Sequence, residues 1–235
     1  MCRPILALVL LALVAPGCRG PKKLPPMPSR VDHLIFVAPD LESGMDEIER
    51  LLGVRPVRGG RHPGFGTHNA LLSLGPTTYL EVIAPDPKLP RPERGLIFGL
   101  DEVEDAHLAS WVLSTDDIHA LHARAERAGV GLGQVESGSR EKPDGSVLRW
   151  RMTDPYAWPL DGAVPFVISW GESSHPAGAA PSGGTLLALR IEHPDVKSLR
   201  RSLSALGAKA DAHAGERVRL VATLRTPAGK VVSLE

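Results

Sequence analysis

The sequence predicts an α+β fold in which one βαβββ module is written three times. Three observations carry this reading. Apolar, strand-like openings recur at Asp32-His33-Leu34-Ile35-Phe36-Val37, Ser110-Trp111-Val112-Leu113-Ser114 and Leu187-Ala188-Leu189-Arg190-Ile191. Each runs into an acidic residue followed by an aliphatic one: Asp40-Leu41, Asp117-Ile118 and Asp195-Val196. The first two Asp residues stand 77 apart and the next two 78 apart. Each pair then opens a stretch with apolar residues at helical spacing, followed by short strand candidates.

The helical stripes are Leu41, Met45, Ile48 and Leu52 in the first copy, and Ile118, Leu121 and Ala125 in the second. In the third they are Val196, Leu199, Leu203 and Leu206. Asp40, Asp117 and Asp195 suit the N-cap, where a carboxylate accepts free backbone N–H groups of the first turn. Gly53, Gly129 and Gly207 close the helices, where a left-handed residue is wanted. Behind the first helix come strands near Val57, from Asn69 to Leu74 and from Tyr79 to Ile83, with a turn at Gly75-Pro76. The second copy offers Gly133 to Glu136, Val147 to Met152 and Val164 to Ser169, with a turn at Pro143-Asp144-Gly145. The third offers Ala208 to Asp211, Val218 to Leu224 and Val231 to Leu234, turning at Pro227-Ala228-Gly229.

The N-terminal segment reads as a targeting signal. Arg3 precedes an apolar run from Ile5 to Ala15, the length of a signal-peptide core and too short to span a bilayer as a helix. Val14-Ala15-Pro16-Gly17-Cys18 resembles the lipobox of bacterial lipoproteins, which implies lipidation at Cys18; the alternative is a plain cleaved signal peptide. Cys2 and Cys18 are the only cysteines, and cleavage before Cys18 leaves one thiol, at the terminus, carrying lipid. Residues 1–17 are thus a signal peptide and 18–30 a proline-rich tether. The paired modules occupy 31–172, a linker rich in Ala, Gly, Ser and Pro occupies 173–184, and the third module occupies 185–235. The expected location is the cell envelope, exported and lipid-anchored, with a soluble secreted or periplasmic protein as the alternative. Lys and Arg total 27 against 27 Asp and Glu, with no basic block, so nucleic acid is not an expected partner.

The first copy carries Asp32-His33-Leu34, Gly59-Gly60-Arg61-His62-Pro63-Gly64, Thr67-His68-Asn69-Ala70-Leu71-Leu72 and Tyr79-Leu80-Glu81-Val82-Ile83-Ala84-Pro85-Asp86. The second carries Pro143-Asp144-Gly145, Leu148-Arg149-Trp150-Arg151 and Pro165-Phe166-Val167-Ile168-Ser169-Trp170-Gly171. In these stretches the chain resembles the glyoxalase-like members of the vicinal-oxygen-chelate superfamily. The resemblance implies that two modules pair so that their sheets curve around one cleft, with the third copy beyond them. It also implies, in metal-dependent members, a divalent ion held by His, Gln and Glu on the first and fourth strands of both modules.

His33 and Glu81 match those ligand positions in the first copy. In the second copy the matching positions read as Ser110, from the spacing, and Ser169, from local pattern. Serine is a poor ligand beside imidazole or carboxylate, so a metal at His33 and Glu81 needs a further donor from His62, His68 or His175. The cofactor expectation is therefore either none or a divalent metal ion. Without metal, Glu81 remains a candidate catalytic base with His33 as its partner. His62, in its glycine-rich loop, and Asn69, at the start of a strand, are candidate ligand contacts. Arg149 and Trp150 face opposite ways on one strand. Either Trp150 lines the cleft and the arginine faces solvent, or Arg149 faces a ligand carboxylate. His119 and His122 read as an exposed helix face.

The implied function is a glyoxalase-like domain binding a small organic ligand in the inter-module cleft. Lyase, isomerase and dioxygenase chemistry stand against non-catalytic binding or an interaction module. The third copy either caps the first two or pairs with a second chain as a homodimer.

Overall fold

The computed structural model describes residues 30–141 and 147–235. The stretches read as signal peptide and, but for Arg30, as tether, with Cys18 and the Pro143-Asp144-Gly145 turn, lie outside the described residues. The first module comprises β1 (Arg30–Val37), α1 (Leu41–Leu52), β2 (Val57–His62), β3 (Thr67–Gly75) and β4 (Thr78–Pro85). The second comprises β5 (His107–Ser114), α2 (Ile118–Arg127), β6 (Val135–Glu141), β7 (Val147–Thr153) and β8 (Phe166–Ser169). The third comprises β9 (Thr185–His193), α3 (Val196–Leu206), β10 (Asp211–Ala214), β11 (Arg219–Arg225) and β12 (Val231–Leu234). This is a mixed α+β fold of βαβββ units.

The helix boundaries follow from their caps. Asp40, Asp117 and Asp195 accept the backbone N–H of Ser43, Ala120 and Ser198 at 2.9, 3.0 and 2.9 Å. Gly53 and Gly207 end α1 and α3 at φ of 77° and 67°, where any side chain would be strained. α2 ends one residue earlier than expected, on Ala128, and Gly129 takes the left-handed position after it.

The first two modules share one eight-stranded sheet, ordered β2-β3-β4-β1-β5-β8-β7-β6. At its centre β1 and β5 run antiparallel, and each runs parallel to the last strand of its own module, β4 or β8. The arrangement is that of two copies related by a local two-fold. The sheet curves until its two edges meet, where Arg140 on β6 donates to the Gly59 carbonyl on β2 at 2.6 Å. Strand alternation gives the sheet two faces. Leu34, Phe36, Leu80, Val82, Trp111 and Leu113 face the helices. Ile35, Val37, Ile83, Val112, Phe166 and Ile168 face the concave side.

The third module forms its own sheet, ordered β10-β9-β11-β12. Its buried face joins the same hydrophobic core as α1 and α2, through Ile191, Leu199, Leu203, Leu206, Leu220 and Leu224. The linker lies along the first module as a strap. Ser73 donates to Pro181 and accepts from Gly183, both at 2.8 Å, and a 3-10 turn at Pro176–Gly178 packs beneath the cleft. Two further segments cover the concave side without any periodic signal. One is residues 86–106, with a 3-10 turn at Ile97–Gly99, and the other is residues 154–165. Phe98 sits at φ 59°, a rare conformation for a bulky residue, with its ring stacked 5.7 Å from that of Phe166.

Gly44 shows how tightly α1 meets the sheet. A Cβ there would lie 2.7 Å from Ala38 Cβ and 2.8 Å from Val82 Cγ1. Alanine is worth about 1 kcal/mol more than glycine within a helix, but overpacking costs about 1–3 kcal/mol. Gly44→Ala is therefore expected to lower the urea midpoint, and a rise would contradict this packing.

Candidate functional site

The concave side holds a hollow of about 80 Å³. A water needs roughly 10–15 Å³ by the same kind of measure, so the hollow takes a group of about five to eight heavy atoms. Its walls are mostly apolar: Ile35, Phe65, Ile83, Phe98, Phe166 and Ile168 are among them. Its titratable groups among the described residues come from the first module, with the exception of Arg140.

His33 and Glu81 meet on its floor. β1 and β4 are in register so that Ile35 lies beside Glu81, and alternation turns both polar side chains to the concave face. His33 Nε2 stands 3.4 Å from Glu81 Oε2. Asn69 Nδ2 donates to the other Glu81 oxygen at 2.6 Å, and Gly60 N–H fixes the amide by donating to Asn69 Oδ1 at 2.8 Å. His62 lines the same hollow, its Nδ1 3.0 Å from Thr67 Oγ1. Burial pushes the His62 imidazole below its usual value against the pull of Glu81, which leaves it neutral at pH 7.

Behind His33 lies a fully buried carboxylate. The β1–β5 register slips between Val31 and His33, leaving Asp32 as the extra residue of a bulge. A bulge re-aims side chains. Asp32 Oδ1 accepts a hydrogen bond from His33 Nδ1 at 2.7 Å. Its Oδ2 accepts from Trp170 Nε1 at 3.0 Å and from His175 Nε2 at 3.1 Å. The His175 donor is set by Ala177 N–H, which occupies Nδ1 at 3.2 Å. Burial alone would favour the neutral acid, but hydrogen bonds from His175 and His33, with their charge, hold Asp32 well below the ordinary carboxylate range. Tyr79 stacks on His33 at 4.4 Å, and burial, then the charges of Glu81 and Asp32, raise its phenol far above the usual value. Tyr79 is a neutral hydroxyl at any working pH.

The sequence-predicted residues separate into two groups. His33, His62, Asn69, Glu81 and Trp150 all line the hollow. Arg149 does not: β7 turns Trp150 inward and leaves Arg149 exposed and outside the hollow, the first of the two alternatives for this strand. His68 likewise points away from the hollow, 4.0 Å from Asp86. His119 is exposed, and His122 Nε2 bonds the Gly133 carbonyl at 2.6 Å.

The register also corrects the second module. Val112 on β5, the counterpart of Ile35, pairs with Phe166 on β8. Phe166, not Ser169, therefore stands where Glu81 stands in the first module. Ser110 is buried beside a second bulge, with its hydroxyl 3.5 Å from the Gly162 carbonyl. The donor set does not fit a divalent ion. The second module presents a phenyl ring and a hydroxyl, and among the described residues no three His, Cys, Asp or Glu side chains gather to hold one. Sequence reasoning missed Asp32 as a functional group, and it missed Phe98, Trp170 and Arg140 in the walls. Only Asp32, beside His33 in the motif, left a local signal.

A family model described as a glyoxalase-like domain matches residues 31–207. No curated protein matches the chain in sequence. Among solved structures, a hypothetical protein from Staphylococcus aureus is similar with a TM-score of 0.61 at 14% identity, covering 88% of this chain and 99% of that one. Methylmalonyl-CoA epimerase from Streptomyces coelicolor is similar with a TM-score of 0.41 at 16% identity, covering 63% and 98%. The Mycobacterium tuberculosis methylmalonyl-CoA epimerase scores 0.38 at 18% identity, covering 59% and 85%. The first of these likenesses shows the fold, and the two epimerases are too distant to bear on activity.

Asp32 gives the site a pH signature. A carboxylate depressed on folding adds stability above its unfolded value, about 3.9, and that stability drains away as pH falls toward the folded value. Asp32→Asn is expected to cost about 3–5 kcal/mol at pH 7, as when one partner of a buried charged network is removed. Urea unfolding at pH 7, 4 and 2.5 measures both effects. The gap between wild type and variant should narrow as pH falls, and a gap independent of pH would contradict the assignment.

Proposed function

This chain belongs to the glyoxalase-like domain family, and from that premise we propose that its cleft receives a small organic ligand and moves a proton on it. One observation carries the reading: an imidazole and a carboxylate 3.4 Å apart on the floor of an apolar hollow. Asp32 engages His33 Nδ1, so Nε2 is the nitrogen that faces Glu81 and the hollow. Asn69 occupies Glu81 Oε1 and leaves Oε2 toward the imidazole. Glu81 takes a proton from an activated carbon, and His33 shares it or returns it. This is acid–base chemistry of the isomerase or lyase kind, on carbon beside a carbonyl. It asks for no group that the donor set cannot hold.

Binding without turnover is the second reading. It is favoured by the mutual satisfaction of the network, since Asp32, His33, His175, Asn69 and Glu81 each already have a partner. For location, the apolar run before Cys18 supports an exported protein tethered to a membrane by lipid on that cysteine.

Hydrogen exchange separates turnover from binding. Carbon acids of the right size (4-methyl-2-oxopentanoate, its methyl ester and 4-methyl-2-pentanone) are incubated with the full chain in D2O and followed by proton NMR. Accelerated loss of the signal beside the carbonyl is expected for at least one probe. Glu81→Gln should lower that rate by about 10²–10⁴. Saturable binding with no acceleration would leave the binding reading in place and contradict proton transfer. Membrane association is checked separately: Cys18→Ser should release the protein into the soluble fraction, and unchanged association would contradict the lipid anchor.

A further inference from the structure

Among the described residues, Arg140 is the one cation that reaches the hollow from the second module. It stands on an edge strand, crosses the mouth of the cleft and is half-buried there. Its Nη1 donates to the Gly59 carbonyl at 2.6 Å. The seat is shaped for it, since a Cβ on Gly60 would lie 2.7 Å from that same nitrogen. Its charge is felt inside the site, lowering the affinity of His62 for a proton and opposing the rise at Tyr79.

Among the described residues, what Arg140 lacks is an anion. Arg55 is surrounded by Glu42, Asp46 and Glu49, Arg61 meets Asp86, and Arg219 meets Glu192 and Glu235. Among the described residues no carboxylate pairs with Arg140. A guanidinium has five N–H donors in a planar fork, and the Gly59 carbonyl occupies one of its nitrogens. The remaining donors border an apolar cavity, where a charge-assisted pair is stronger than in water.

We propose that Arg140 makes the cleft a receptor for small organic carboxylates, with the carboxylate at the mouth and an apolar body of about five heavy atoms inside. This rests on the reading of the hollow as a ligand site and names its ligand class. A monoanion fits better than a phosphate dianion. One guanidinium neutralises one charge, and a second would stand exposed to Glu81 and Asp32. The geometry also orients the ligand: anchoring the acid group at the mouth sends the carbon skeleton toward His33 and Glu81.

Calorimetric titration of the full chain tests this with 4-methylpentanoate, the isosteric neutral 4-methylpentanamide and 3-methylbutylphosphonate. Wild type is expected to bind the carboxylate at least tenfold more tightly than the amide, and more tightly than the phosphonate. Arg140→Gln removes the charge and keeps a polar side chain, though one too short to reach the Gly59 carbonyl as Nη1 does. It should bring the carboxylate down to the affinity of the amide while amide binding and melting temperature hold. Arg140→Lys, which keeps the charge, should retain most of the preference and guards against a folding defect in the first variant. Equal binding of acid and amide by wild type would overturn the proposal and leave the ligand site standing. So would a preference that survives Arg140→Gln, and tightest binding of the phosphonate would overturn the carboxylate assignment. No binding of any probe would overturn both this proposal and the ligand-site reading beneath it.

Discussion

A buried negative charge organises this molecule. Asp32 has no solvent exposure, and an ionised carboxylate in that setting is sustained only by its donors. Those donors come from three parts of the chain: His33 on the first strand, Trp170 at the end of the second module, and His175 on the strap toward the third. Satisfying the charge therefore draws the two modules and the strap to one point. The same satisfaction fixes the ring of His33, since its Nδ1 is committed to Asp32 and only Nε2 is left for Glu81. Fold and site depend on one carboxylate.

The asymmetry between the modules follows from that point. Both copies supply the same strand positions, but the first fills them with His33 and Glu81 and the second with Ser110 and Phe166. Phe166 sets its ring edge-on to His33 at 6.1 Å and stacks with Phe98 from the covering segment. One module thus supplies most of the polar groups and the other much of the apolar wall. An acid–base pair backed by a buried carboxylate and faced by phenyl rings suits proton transfer on a weakly polar ligand. Arg140, closing the mouth from the far edge, adds a single positive charge to a site whose floor is acidic.

Much of this was legible before any coordinates. The three Asp caps and the apolar stripes are local signals, so Asp40, Asp117 and Asp195 mark the helices where they begin. His33 and Glu81 could be paired because the family resemblance puts both at ligand positions of one site. Phe166 could not be placed, because β8 is four residues long and carries no alternating pattern. Asp32 left only its place beside His33 as a signal, since its other two partners are 138 and 143 residues away and a bulge sets its direction. The covering segment around Phe98 has no period at all, and Arg140 acquires meaning only when the sheet curves enough for its edges to touch.

Asp32 holds a proton on His33 Nδ1 and thereby aims Nε2 at Glu81. Long-range nitrogen–proton NMR correlation on histidine-labelled protein reads this directly. The account predicts that His33 carries its proton on Nδ1 at neutral pH, strongly downfield, and that this signal moves in Asp32→Asn. A His33 ring whose Nδ1 is bare in the wild-type protein would contradict it.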